Sequence, residues 1–143
     1  MKNKKFRIIL GLVFSAWAFT NGLLAAEELK LGATLDDAGV FIAMEDGNQL
    51  NVRVIENNFQ IYSVDSAKKL IKADIEKVII HAQSRVNRGS SKQTIVLKPS
   101  DKEFMLTSGR FVPPPHHYEL RLIVMHKGKK EVVPMTVLNQ LSE

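Results

Sequence analysis

Apolar and polar residues alternate with a period of two along most of the chain, which is the spacing of a half-buried β-strand rather than of a helix. Residues 50–54 (LNVRV) show it clearly, with apolar side chains at the even positions. The alternation continues in residues 59–64 (FQIYSV) and extends furthest in residues 117–126 (HYELRLIVMH). The pattern therefore predicts an all-β chain.

Turn-forming residues separate the alternating segments. Asp46-Gly47 and Asn57-Asn58 tolerate the positive φ angles of tight turns, and Pro99 ends a strand because proline lacks the amide donor. We read residues 65–74 as a loop with an edge strand and residues 139–143 as a frayed tail. The predicted strand segments are residues 40–44, 49–56, 59–64, 78–82, 93–98, 117–126 and 131–138. Residues 103–106 and 109–112 are predicted to frame a short turn.

About seven short strands, with turn signals roughly every 8–12 residues, are typical of an immunoglobulin-like antiparallel β-sandwich. A small closed barrel is the alternative, and the alternation of side chains fits both. Either architecture fits in one domain, since residues 27–143 form a segment of ordinary domain length without repeats or low-complexity stretches.

The first 26 residues have the layout of a signal peptide. Residues 1–7 carry four basic side chains and no acidic one, and residues 8–19 (IILGLVFSAWAF) are uncharged and mostly apolar. Small residues then offer a cleavage site after Ala25 or Ala26. The sequence therefore predicts a helical signal peptide over residues 1–26 and a periplasmic or secreted bacterial domain over residues 27–143. The alternative is an uncleaved membrane anchor, the one way in which this chain would contact a membrane.

The charge of the chain depends strongly on this segment. The full chain has 20 Lys and Arg against 15 Asp and Glu, a net charge of +5. Without the four basic residues of the first 26, the net charge falls to about +1, too weak a field for phosphate recognition, so we expect no nucleic-acid partner. The chain has no cysteine, which excludes disulfides and thiolate chemistry.

The order of these elements resembles that of small exported bacterial immunoglobulin-like β-sandwich proteins. The resemblance rests on the signal peptide, the strand that ends near Asp46-Gly47, residues 50–65 (LNVRVIENNFQIYSVD), a lysine-rich turn and a closing strand pair rich in valine. Some of these proteins occur beside heavy-metal efflux systems. The resemblance implies the sandwich fold for the exported domain, whereas residues 27–40 lack the histidines of the metal-associated members.

Residues 110–118 (RFVPPPHHY) form the first candidate recognition segment. Three consecutive prolines stiffen the backbone, and a stiff segment loses little entropy on binding. The predicted contact residues are Arg110, Phe111, Pro113, Pro114, Pro115, His116, His117 and Tyr118.

The connection over residues 84–92 (SRVNRGSSK) is the second candidate. Arg85, Arg88 and Lys92 are suited to an anionic group or an acidic partner surface, and the alternative is a solvated hairpin tip. The segment lacks the glycine and lysine spacing of a P-loop.

His116 and His117 also offer nitrogen ligands for copper or zinc, although consecutive strand residues face opposite ways. The alternative is a histidine pair at the entry to a strand. We find no nucleophile elbow and no carboxylate pair in a site motif, so we expect no enzymatic activity and no cofactor.

The expected function is surface recognition of another envelope protein or a small ligand. The second reading is a metal-handling accessory of an efflux system. The third is a structural envelope subunit that polymerises by strand addition near Pro134.

Overall fold

Eight β-strands make up the regular structure of the chain. The computed structural model describes residues 29–86 and 92–140, a part of the chain that contains no helix. The signal peptide predicted for residues 1–26 lies outside the described residues, as does Arg88. All the strands belong to the unit that begins at Leu31. They are β1 (Val40–Ala43), β2 (Gln49–Ile55), β3 (Asn58–Val64), β4 (Ile75–Ser84), β5 (Gln93–Pro99), β6 (Met105–Phe111), β7 (His116–His126) and β8 (Lys129–Gln140).

The strands form one antiparallel sheet in the order β1-β2-β3-β6-β5-β4-β7-β8. Strands β4, β5 and β6 are consecutive hairpins, and β7 returns to lie beside β4, which is the connectivity of a Greek key. The all-β, antiparallel prediction is thereby confirmed, with eight strands where the sequence suggested about seven.

The sheet turns a corner within β5. The residues from Gln93 to Leu97 pair with β4, whereas Lys98 and Pro99 pair with Thr107 and Leu106 of β6. This change of partner lets the two halves of the sheet face each other, and the ends of the sheet then approach each other where Gln140 of β8 hydrogen-bonds to Val54 of β2. The result is a nearly closed, barrel-like sheet.

The turn predicted between residues 106 and 109 is wrong. Strand β6 is continuous, and its turn-forming residues instead produce an irregularity: Gln60 of β3 pairs with Thr107, but Asn58 pairs with Phe111. Gly109, at a φ of 65°, lies in this bulge. Glycine and serine disrupt the ladder here without ending the strand, as bulges do.

The predicted frayed tail is also shorter than expected. Asn139 and Gln140 belong to β8 and pair with His117 and His116 of β7. The predicted edge element in residues 65–74 has a small counterpart, because Lys69 and Leu70 make isolated bridges to Thr34 and Val64.

The main core lies between the inward faces of the strands. Alternate residues of each strand enter it, and the rings of Phe59 and Tyr118 meet edge to face with centroids 6.0 Å apart. Burial of this continuous aliphatic and aromatic cluster is the main source of stability in a chain that lacks disulfides.

A second, smaller core covers the outer face of β2 and β3. Residues 31–39, which we call the N-terminal strap, run over this face and enclose Leu35, Tyr62, Val64, Leu70 and Phe104. The strap is fixed by backbone hydrogen bonds from Gly32 and Leu35 to residues 68–70. Because of this cover, β2 and β3 are buried on both faces.

Candidate functional site

Pairing of β4 with β7 brings the two candidate recognition segments together. Ser84, the last residue of β4, lies opposite Tyr118. The backbone amide of the next residue, Arg85, donates a hydrogen bond to the carbonyl oxygen of His117 at 2.9 Å. His117 lies 32 positions after Arg85 in the sequence. Arg85, at the start of the basic connection, therefore lies on one surface with His117 of the polyproline segment.

An open groove of about 410 Å³ lies on this surface, lined by Gln83, Ser84, Arg85, His117 and Glu119; we call it the β4–β7 groove. Its walls offer an amide, a hydroxyl, a guanidinium, an imidazole and a carboxylate. Such a set of donors and acceptors suits a polar ligand or a polar segment of a partner.

The cation and the anion of the groove are only loosely paired. Arg85 Nη1 lies 3.9 Å from Glu119 Oε1, and the two side chains are 44% and 37% exposed. An exposed pair at this distance contributes little to stability, so the guanidinium can exchange its partner for a ligand group at little cost.

Tyr118 anchors the polyproline segment from inside the fold. Its hydroxyl donates to the carbonyl oxygen of Pro113 at 2.5 Å, and the ring is almost fully buried. Burial raises the pKa of the Tyr118 phenol, since the ionised form loses solvation. Val112 adds a backbone hydrogen bond to Asn57 O at 2.6 Å, so the segment is held at both ends.

The predicted contact residues are not all alike in the structure. Pro113, Pro114 and Pro115 are exposed, with a cis bond between the last two. Phe111 is 62% exposed, and Arg110 Nη1 donates to Thr94 O at 3.0 Å. Lys92 is exposed just before β5.

The two predicted metal-ligating histidines lie on different faces of the sheet. His117 shares the outer face with Glu119, whereas His116 shares the inward face with Tyr118, and its Nε2 lies 3.2 Å from Val112 O. The imidazoles therefore do not converge on one point. Within residues 29–86 and 92–140, no group of three or more His, Asp or Glu side chains is placed to hold a metal ion.

A buried polar network on β2 was not foreseen from the sequence. Arg53 Nε donates to Asn51 Oδ1 at 2.6 Å, Nη1 lies 2.8 Å from Asp36 Oδ1, and the guanidinium carbon is 5.2 Å from the centroid of Tyr62. Burial raises the pKa of the Tyr62 phenol. The positive charge of Arg53 opposes this rise, and the negative charge of Asp36 adds to it. Alternation predicted that Asn51 and Arg53 face solvent, which they would do without the strap.

Comparison with protein-family models, with curated proteins and with solved structures finds no match for this chain. Among the described residues, no helix has the length and apolar character needed to cross a membrane.

Proposed function

We propose that the chain is a non-catalytic protein of the bacterial envelope that recognises another envelope protein or a small ligand at the β4–β7 groove. The observation that carries this proposal is the contact of Arg85 with His117, which places one residue from each of the two segments that the sequence marks for recognition side by side. Export is part of the proposal and rests on the order of basic, apolar and small residues in positions 1–26.

The chemistry of the groove supports binding rather than catalysis. Glu119 faces Arg85 across a loose ion pair that a charged group of a ligand can enter, and Ser84 Oγ accepts a hydrogen bond from the amide of Val86. An immunoglobulin-like sandwich architecture is part of the same proposal. Greek-key connections, which are common in β-sandwiches, support it, as does the presentation of loops at the ends of a rigid sheet.

Affinity capture with groove variants tests the proposal. Full-length wild type, Arg85→Ala, His117→Ala and Lys127→Ala are immobilised, and the proteins and small molecules retained from an envelope extract are quantified by mass spectrometry. Lys127 is the matched control, because it is exposed in the turn after β7, at the opposite end of that strand.

We expect one set of molecules to be retained by wild type and Lys127→Ala and to fall by about tenfold, the equivalent of one lost charge-assisted contact, in the two groove variants. Equal retention by all four proteins would rule out the groove as the recognition site.

A further inference from the structure

Four branched aliphatic side chains form a row across the outer face of β5, β4, β7 and β8. Val96 pairs with Ile79, Ile79 pairs with Ile123, and Ile123 pairs with Val132. All four occupy outward positions of their strands, and the row spans about 14 Å, since neighbouring strands lie about 4.8 Å apart. We call it the aliphatic row.

The aliphatic row is accessible at both of its ends. Val132 is 68% exposed and Val96 is 42% exposed, while Ile79 and Ile123 are half-buried between them. Met135, in the irregular part of β8, and Val137 add exposed apolar surface nearby. A contiguous apolar strip on a solvent-facing sheet is typical of a docking surface rather than of an ordinary exterior.

Cations border the row on its two long sides. Lys77 and Lys130 are two strand positions from Ile79 and Val132, and Lys98 is two from Val96. On the other side, Arg121 is two positions from Ile123. These four side chains are exposed and have no ion-pair partner within the described part of the chain.

Acidic side chains are scarce on this face. Glu119 lies further along β7, where it faces Arg85, and Glu76 lies at the irregular start of β4. An apolar centre with a charged border is the usual anatomy of a protein interface, and the sign of the border selects the partner.

The charge and shape of the face restrict its occupant. A second copy that docked through the same row would set lysines and arginine against each other, which is unfavourable. A lipid bilayer fits poorly, because Ile79 and Ile123 are half-buried and the row lacks the aromatic anchors of interfacial proteins.

We propose that the aliphatic row and its basic border dock an acidic protein segment that carries an aliphatic stripe. This proposal rests on the proposed function, because it specifies the chemistry of the partner that binds the face on which the β4–β7 groove lies. Glutamate or aspartate side chains of the partner would pair with Arg121 and the three lysines, while its stripe covers the row.

Fluorescence anisotropy with a labelled peptide tests this inference on the full-length chain. The probe is an amphipathic peptide of leucine, alanine and glutamate, about 18 residues long and thus about 27 Å as a helix. The comparison probes are the same peptide with lysine at every glutamate, and vesicles with equal amounts of phosphatidylglycerol and phosphatidylcholine. The variants are Val132→Ser, with Leu31→Ser as the exposed aliphatic control, and Arg121→Glu, with Lys127→Glu as the exposed cation control.

We expect the acidic peptide alone to bind, and its Kd to rise by about tenfold in Val132→Ser and Arg121→Glu but not in the controls. Equal binding of the lysine peptide, unchanged affinity in both row variants, preferential binding of vesicles, or self-association of the chain lost in Val132→Ser would each overturn the inference.

The same variants separate this inference from the proposed function. If Arg85→Ala abolishes capture from extract while Val132→Ser and Arg121→Glu retain both capture and peptide affinity, only the docking row fails. If Val132→Ser and Arg121→Glu lose the peptide while Arg85→Ala captures normally, the groove proposal fails and the row stands.

Discussion

The side-chain amide of Gln140 forms two hydrogen bonds with the backbone of Val54, donating from Nε2 to the carbonyl oxygen at 2.7 Å and accepting from the amide nitrogen at 3.0 Å. Val54 is on β2, beyond the residues that pair with β1, whereas Gln140 ends β8. The side chain therefore substitutes for a missing strand partner and joins the two ends of the sheet.

Gln140→Ala should destabilise the fold by about 1–3 kcal/mol, because two partly buried backbone groups lose their partner. Urea unfolding followed by circular dichroism measures the change. Asn139→Ala is the matched control, since Asn139 is exposed on the same strand and should change the free energy of unfolding by less than about 0.5 kcal/mol. Equal effects of the two substitutions would show that the side chain of Gln140 does not stabilise the closure.

Arg53→Ala should cost about 2–4 kcal/mol of unfolding free energy. The substitution removes a packed side chain and leaves the buried Asn51 Oδ1 without its donor. Asp36→Ala should cost less, about 1–2 kcal/mol, because the Asp36 side chain is 73% exposed but the Arg53 side chain, only 9% exposed, loses one of its partners. Chemical denaturation of both variants provides the comparison, and a larger loss in Asp36→Ala would contradict our account of the network.

Gly39→Ala should weaken attachment of the N-terminal strap. A Cβ atom at Gly39 would overlap the carbonyl oxygen of Val52 and lie 2.8 Å from Arg53 Cβ, and the backbone has a φ of 76°. Gly47 has a similar φ of 88° but open space around its Cβ position, so Gly47→Ala should show only the backbone cost of about 1–2 kcal/mol. Thermal unfolding should give a clearly lower Tm for Gly39→Ala than for Gly47→Ala. Equal Tm values would contradict the prediction, because they would show that the strap can leave β2 without loss of stability.

The two tyrosines should titrate above the ordinary phenol value of about 10, because burial disfavours both phenolates. As the pH rises, the unfolded chain loses its two phenolic protons at a lower pH than the folded chain does. Their contribution to stability is therefore complete below a pH of about 10 and is lost as the pH rises toward the folded pKa values.

Ultraviolet titration of phenolate absorbance in wild type, Tyr62→Phe and Tyr118→Phe assigns each tyrosine transition. An ordinary midpoint for either residue in the folded chain would contradict its burial.

The alternation of side chains predicts most of the strands, because one buried face imposes a period of two wherever the other face meets solvent. It fails where that condition fails. Asn51 and Arg53 have the polar pattern of an exposed face, yet the strap covers them. The sequence of β2 itself cannot indicate that a segment more than ten residues upstream packs over it. The closure by Gln140 is equally non-local. Its partner, Val54, lies 86 positions earlier, and nothing in the residues around Gln140 distinguishes them from an exposed tail.

The candidate site shows the same division. Composition identifies the polyproline segment and the basic connection one at a time, but the pairing of β4 with β7 is needed to place Arg85 beside His117. The aliphatic row is invisible in the sequence, because each strand contributes a single outward valine or isoleucine to it. Cross-strand register, which depends on the whole sheet, brings them into one surface.

Recognition at the outer face of β4 and β7 is the central claim, and site-specific photo-cross-linking in intact cells tests it most directly. A photoreactive phenylalanine analogue replaces Gln83 in the groove or, as the control, exposed Leu31 on the strap, and adducts are mapped by mass spectrometry. We predict a discrete cross-linked partner from position 83 that is lost when Arg85→Ala is added, and no such adduct from position 31. The same partner from both positions, or an adduct at position 83 that is indifferent to Arg85→Ala, would contradict the account.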